Sequence, residues 1–178
     1  MSKIPKKEKI LAVIVTHNRK DLLKRCILSL LKQTYSSLEI IVINNGSTDG
    51  TKKMLIDLGI NSIDQDNLGA ASGWFAGLEF AVKGYYDYCW LMDDDGYADS
   101  EALGRLLRNF GKDISCCAST VLQEKNKDYF VFPYPKLNKN NLPIIFDFNR
   151  KFYTLNQINK AVNYNYYPFA HFFNGTLI

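Results

Sequence analysis

Histidine and cysteine are both sparse in this chain of 178 residues, and neither forms a pattern. The two histidines, His17 and His171, stand in no spacing with Cys or Glu that suits zinc, which argues against a histidine-based metal centre. The four cysteines, Cys26, Cys89, Cys116 and Cys117, fall within predicted helix and strand interiors and read as buried free thiols. No run of 18 apolar residues occurs, so no membrane-spanning helix is expected. Nor does an apolar stretch follow the N-terminal basic residues as it does in a signal peptide, so a cytoplasmic location is expected. Charge imbalance is slight: 22 Lys and Arg against 18 Asp and Glu give a formal net charge of +4, and nucleic acid is not among the expected partners. The densest basic cluster, "KIPKKEK", reads as a solvated tail, with weak contact to an anionic membrane surface as the alternative. What is present is apolar material: 47% hydrophobic residues suffice for the core of one ordinary globular domain.

That material alternates in kind along the first 120 residues. "ILAVIV", Ile10 to Val15, is a continuous apolar run with β-branched residues that reads as a strand buried on both faces. In "NRKDLLKRCILSLLKQ" the positions Leu22, Leu23, Cys26, Ile27, Leu30 and Leu31 repeat with helical spacing, and Asn18 with Asp21 resembles an N-cap pair. "LEIIVIN" is a second buried strand, and "NGSTDGT" is a turn cluster leading into a short helix that ends near Gly59. A brief strand over 60–64 precedes "NLGAASGWFAGLEFAVKG", whose Gly and Ala content suits a helix packed tightly with its N-terminus near a ligand. "YCWLM" is a strand, "SEALGRLLRNF" a helix, and "ISCCASTVL" a further strand. Such alternation predicts an α/β fold with a mostly parallel central sheet and helices on both faces. From Lys125 onward, Pro, Asn and aromatic residues with little periodicity, as in "YFVFPYP" and "FDFNRKFY", suggest short antiparallel strands and long loops on the same core.

The most unusual feature is the triplet Asp93, Asp94 and Asp95, which ends the "YCWLM" strand. Like charges this close raise one another's pKa and repel, so a positive group is expected beside them. The C-terminal edge of buried strands is where open α/β sheets bind ligands. Three other loops reach that edge: "THNR", "NNGSTDGT" and "NLGAASG". Hydroxyls, amides and N–H groups at helix N-termini suit an anion, while adjacent carboxylates suit a hard divalent cation. A diphosphate bridged by a metal satisfies both demands.

The stretches "VIVTHNRKDLLKRCILSLLKQTY", "EIIVINNGSTDGT", "NLGAASGWFAGLEFA" and "WLMDDDGYAD" resemble, in order and spacing, the nucleotide-sugar-binding half of inverting GT-A glycosyltransferases of family 2. The branch they resemble most is that of galactofuranosyl- and rhamnosyltransferases. The resemblance implies a GT-A, Rossmann-like fold and a single domain over 1–178, with 1–124 as the nucleotide-sugar-binding half and 125–178 as the start of an acceptor-side half. It implies transfer from a UDP- or dTDP-linked sugar to a saccharide or lipid-linked acceptor, assisted by Mn²⁺ or Mg²⁺, as in the building of cell-surface polysaccharide, with peripheral association at the inner face of the membrane. On individual positions, Thr16, Asn18 and Arg19 border the nucleobase, and Asn45 holds it where many relatives carry Asp. Asp49 is either a helix cap or a wall of the base pocket. Asn67, Gly69 and Ala70 lie against the ribose and diphosphate, and Trp74 is a core anchor, with the sugar pocket as its alternative. Asp93 and Asp95 form the metal-binding D-x-D pair, one of them also in reach of the ribose, and Asp94 lies between them near the donor sugar.

Inverting transfer needs a general base. In the family that base is an Asp beyond the acceptor-side strand, which "HFFNGTLI" resembles. Glu101, Asp113, Glu124, Asp128 and Asp147 match no such context, and His171 among aromatics reads as a packing residue. The base is therefore expected beyond Ile178 and the chain is expected to be C-terminally truncated. The rival readings are a catalytically incomplete nucleotide-sugar-binding fragment and a sugar nucleotidyltransferase, which requires a Gly- and Arg-containing loop where "THNRK" stands.

Overall fold

Five consecutive side chains at the start of β1 (Ile10–Thr16), from Ile10 to Ile14, are buried, and this fixes the architecture. A strand alternates its side chains between two faces, so burial of every position requires cover on both. In the computed structural model, which describes residues 7–110, 114–144, 149–161, 167 and 175–178, Ile10, Ala12 and Ile14 face one cluster. It also contains Leu23, Cys26, Ile27 and Leu30 of α1 (Lys20–Leu30), Leu55 of α2 (Thr51–Asp57), and Leu103 and Leu106 of α4 (Ala102–Asn109). Leu11 and Val13 face the opposite cluster, which includes Ala81 of α3 (Ala70–Lys83).

The strands β2 (Leu38–Asn45) and β4 (Tyr88–Asp93) run parallel to β1 on either side, and β3 (Asn61–Gln65) runs parallel to β2. Beyond β4 comes β8 (Thr176–Leu177), antiparallel to both β4 and β5 (Cys117–Ala118), giving the order β3-β2-β1-β4-β8-β5. Helix α3 approaches β1 unusually closely. A Cβ on Gly73 would stand 2.5 Å from Val15 Cγ1, and one on Gly77 would stand 2.3 Å from Val13 Cγ1, so this helix reaches the sheet only because both positions lack a side chain.

Outside the sheet, β6 (Tyr129–Pro135) pairs antiparallel with β7 (Lys151–Thr154), which leads into α5 (Leu155–Ala161). Phe130, Tyr134 and Phe152 form a separate small cluster there, joined by Tyr167, whose hydroxyl donates to the Pro135 carbonyl at 2.6 Å.

Four expectations are corrected. Asn18 does not cap α1: its φ of +52° places it in the left-handed region, and its side-chain oxygen instead accepts the Thr48 N–H at 2.7 Å. The strand expected across "ISCCASTVL" contracts to Cys117–Ala118, because β8, its ladder partner among the described residues, is two residues long; Leu122, at the far end of the stretch, forms an isolated bridge with Phe130 instead. Helix α5 was not anticipated. Of the thiols, Cys26 and Cys89 are buried, but Cys116 and Cys117 are only partly so. His171, Asp113, Asp147 and the start of the basic "KIPKKEK" stretch lie outside the described residues. No helix among the described residues is long and apolar enough to cross a membrane.

Candidate donor-binding edge

Parallel pairing brings the C-terminal ends of β1, β2, β3 and β4 to one edge, and the register sorts the acidic triplet between the two faces of the sheet. Val15 is opposite Asp93 in the β1–β4 ladder. Asp93 therefore shares the face of α3, and Asp94 turns to the face of α1. There Asp94 is buried, accepting the Thr16 hydroxyl at 2.8 Å and Arg19 Nη1 at 3.1 Å. The same Arg19 nitrogen donates to Asp95 Oδ2 at 3.1 Å. The positive group that the triplet requires is thus Arg19, whose own pKa is raised chiefly by Asp94.

Asp93 is treated differently. Among the described residues its carboxylate accepts no hydrogen bond, and its pKa is raised first by burial and then by Asp95 and Asp94. Beneath it, the Cys26 thiol approaches the Asp93 carbonyl at 3.5 Å, and burial together with the acidic triplet pushes that thiol up to about 12. Cys26 is therefore a packing group rather than a nucleophile.

The loops after β1 and β2 are laced together. Asp49 accepts the Lys20 N–H at 2.9 Å, the Thr51 N–H at 3.1 Å and the Thr51 hydroxyl at 2.6 Å, so one carboxylate caps the first turns of α1 and α2. Burial pushes the Asp49 carboxyl up, but these hydrogen bonds outweigh it and leave the pKa lowered. Asn18 adds a second tie, its N–H donating to Ser47 Oγ at 3.0 Å. His17 Nδ1 lies 2.6 Å from the Asn45 carbonyl and Nε2 lies 3.2 Å from Asn18 Nδ2; a proton on Nδ1 satisfies both contacts.

Asn45, buried at the end of β2, spends its amide within the protein: Nδ2 donates to the Gly69 carbonyl at 3.2 Å, and Oδ1 accepts Gln65 Nε2 at 2.7 Å. Gln65 also lies 3.2 Å from Ser72 Oγ. This network fixes the entry to α3, where Gly69 takes a φ of +89° and its N–H donates to Asn67 Oδ1 at 3.1 Å. Asn67, Gly69 and Ala70 are exposed at the edge. Trp74 is partly buried against the α3-side cluster. Neighbouring Asn44 donates to Asp64 at 2.7 Å, and Lys52 pairs with the other Asp64 oxygen at 2.8 Å. The lysine first and Asn44 second hold Asp64 below the ordinary range.

The structure therefore brings Thr16, Arg19, Asp94 and Asp95 into one hydrogen-bonded group and Asn45, Asn67 and Gly69 into another. Asn18 and Asp49 tie the two loops that support them. Gln65 and Ser72 are part of this edge without having been singled out from sequence, and so is His17, which the sequence showed only as unsuited to zinc. Gln65 ends β3 directly opposite Asn45 in the ladder, a pairing that only the sheet register reveals.

No group of three or more His, Cys, Asp and Glu among the described residues forms a complete metal cage. Two carboxylates at an open edge nonetheless fit a hard cation that takes its remaining ligands from a phosphate and water. Asp93, half-buried and without a donor among the described residues, is the group such an ion would satisfy.

Comparison with known proteins fits this geometry. The mannosyltransferase of Pyrobaculum calidifontis, solved in complex with GDP-Man and Mn²⁺, matches 67% of this chain and 37% of its own, with a TM-score of 0.57 at 16% identity. The glucosyl-3-phosphoglycerate synthase of Mycobacterium tuberculosis, solved with UDP, matches 66% of this chain and 46% of its own with a TM-score of 0.55 at 19% identity. These likenesses show the GT-A fold. In sequence, the chondroitin synthase of Pasteurella multocida is 34% identical over 121 residues, covering 65% of this chain and 12% of that protein. A galactofuranosyltransferase of Mycobacterium tuberculosis is 36% identical over 110 residues, covering 56% of this chain and 35% of its own length. The chain spans less than half the length of either relative. The model of the family described as glycosyl transferase family 2 matches residues 11–173, and the chain belongs to that family.

Proposed function

We propose that this chain carries the donor site of an inverting glycosyltransferase that moves a sugar from a UDP- or dTDP-linked donor to a saccharide or lipid-linked acceptor with the help of Mn²⁺ or Mg²⁺. The observation that carries the reading is the placement of Asp93 on the α3 face of the sheet edge. Gly73, one turn into α3, rests on Val15, the ladder partner of Asp93. The first turn of α3 and its exposed Asn67, Gly69 and Ala70 therefore open over the same edge, where N–H groups can receive a diphosphate.

In this reading Asp93 and Asp95 hold the cation, and the cation, when bound, neutralises the charge that builds on the departing nucleoside diphosphate. Thr16 and Arg19 fix Asp94 as the wall between the two metal ligands. Asn45 and Gln65 hold the α3 entry loop in register, and Asn18, with Asp49 behind it, shapes the loops that border the nucleobase. Glu101, Glu124 and Asp128 are engaged with Arg105, Arg25 and the first turn of α5, respectively, and none is proposed as the general base. The relatives' printed activities, transfer of galactofuranose and synthesis of chondroitin, support a saccharide acceptor of the kind found in surface polysaccharides.

Calorimetric titration of UDP and dTDP, with and without Mn²⁺, tests the proposal on the wild type and on Asp95→Ala. Binding of at least one nucleotide that requires Mn²⁺ and is lost in the variant is expected. Binding indifferent to the metal, or unchanged in the variant, sinks it.

A further inference from the structure

A single nitrogen of Arg19 serves two carboxylates whose surroundings differ. The Asp94 side chain is 8% exposed and has a second donor in the Thr16 hydroxyl. The Asp95 side chain is 49% exposed and, among the described residues, has Arg19 as its one partner. A buried, doubly donated carboxylate holds its guanidinium firmly, whereas a half-exposed ion pair contributes little and opens readily. Arg19 is itself half-exposed and stands outside the regular helix, with φ −133° and ψ 41°, directly after the left-handed Asn18. Its bond to Asp95 can break without disturbing α1 or its bond to Asp94.

We infer that Arg19 is a resident counter-charge for Asp95, occupying in the ligand-free protein the carboxylate that a divalent cation needs and yielding it when cation and nucleotide arrive together. The inference rests on the metal reading of Asp93 and Asp95. Released from Asp95 but still held by Asp94, the guanidinium keeps its charge at the mouth of the edge, where a diphosphate gains a partner. Arg19 thus opposes binding of the cation alone and stops opposing it once the nucleotide is present. Such coupling is reciprocal between the two ligands. The device also explains how three adjacent carboxylates stand at a sheet edge before any ligand binds.

The test is Mn²⁺ binding followed by the electron paramagnetic resonance of the free ion, without nucleotide and with UDP, the latter corrected by a titration of UDP alone. It is run on the wild type, Arg19→Gln, Arg19→Lys and Asp95→Ala, each with its melting transition recorded. Without nucleotide, Arg19→Gln is expected to bind Mn²⁺ about three- to fivefold more tightly than the wild type, the worth of one half-exposed ion pair. That advantage disappears with UDP, and Arg19→Lys, which keeps a positive charge, stays near the wild type. In wild-type protein labelled with ¹⁵N in arginine, saturation with Mg²⁺ and UDP shifts the Arg19 side-chain signal. Equal Mn²⁺ affinity in the wild type and Arg19→Gln, or an unmoved Arg19 signal, overturns the inference and leaves the metal reading standing. Absence of Mn²⁺ binding in every chain, the wild type included, overturns both.

Discussion

The β1–β4 sheet and the β6–β7 pair bury their side chains by different rules. In β1, the second half of β2 and the interior of β4, successive residues are buried without alternation because helices cover both faces. In β6 only Phe130 and Tyr134 are buried, and in β7 only Phe152 and Thr154, so each strand has one packed face. The small cluster is held largely by edge-on rings, with Phe130 and Tyr134 at 4.9 Å and Phe152 and Tyr167 at 6.1 Å between centroids. A costly site is built where the core behind it is closed on both sides. An edge that carries three carboxylates draws its stability from a core behind it that is closed on both sides, and the one-sided unit has no such reserve.

The largest effect that sharpens this contrast is expected from Trp90→Ala. Trp90 is fully buried in the α1-side cluster, and the loss is expected to be about 3–5 kcal/mol, read from denaturant unfolding. Its indole N–H has no partner among the described residues, so Trp90→Phe is expected to lose far less, since it removes an unsatisfied donor along with some volume. Next comes Gly77→Val, which sets a branched side chain against Val13 and is expected to cost about 2–3 kcal/mol by overpacking. Phe152→Ala is expected to cost about 2 kcal/mol, below the usual range for this change because the ring rests in a thin cluster. Hydrogen exchange is then expected to speed at the amides of β6 and β7 and to stay unchanged in β1, β2 and β4. If Phe152→Ala instead exposes the whole sheet, the two regions are one cooperative unit.

The smallest effect is expected from Asp93→Asn. Burial and the neighbouring carboxylates raise the Asp93 pKa above its ordinary 3.8, so the native state takes up this proton more readily than the unfolded chain. Stability is therefore lost as pH rises from the ordinary value through the folded one, and the penalty is complete at neutral pH. Asp93→Asn is expected to raise the melting temperature of the metal-free protein at neutral pH, with the gain fading toward pH 4. A gain that is the same at both pH values contradicts this origin.

Much of the sheet was legible because apolar runs rich in β-branched residues and 3.6-residue spacing each have one cheap solution; "ILAVIV" and "LEIIVIN" read as buried neighbouring strands. The close packing of α3 was visible in its Gly and Ala content. The irregular stretch after Lys125 was legible only as a class, since alternation on a one-faced strand is interrupted by Pro133 and Pro135 and supplies no period to read. Within the site, residue types and the shared edge could be anticipated, but hydrogen-bond partners could not. That Arg19 neutralises the triplet, and that Asn45 holds Gly69, depends on loop conformations set by Asn18 and Gly69 at positive φ, for which the sequence offers only permissive residues. Asp49 shows the limit clearly: its turn position allowed a cap or a pocket wall, and only the fold shows it serving two helices at once.

In the proposed donor site, Asp93 and Asp95 hold a cation that meets a nucleoside diphosphate over the start of α3. A crystal of the protein grown with UDP and Mn²⁺ and measured for manganese anomalous scattering tests it most directly. One anomalous peak is expected, bonded to carboxylate oxygens of Asp93 and Asp95, with the diphosphate as its other ligand and beside Gly69 and Ala70. Nucleotide bound elsewhere, or manganese bound without either carboxylate, contradicts it.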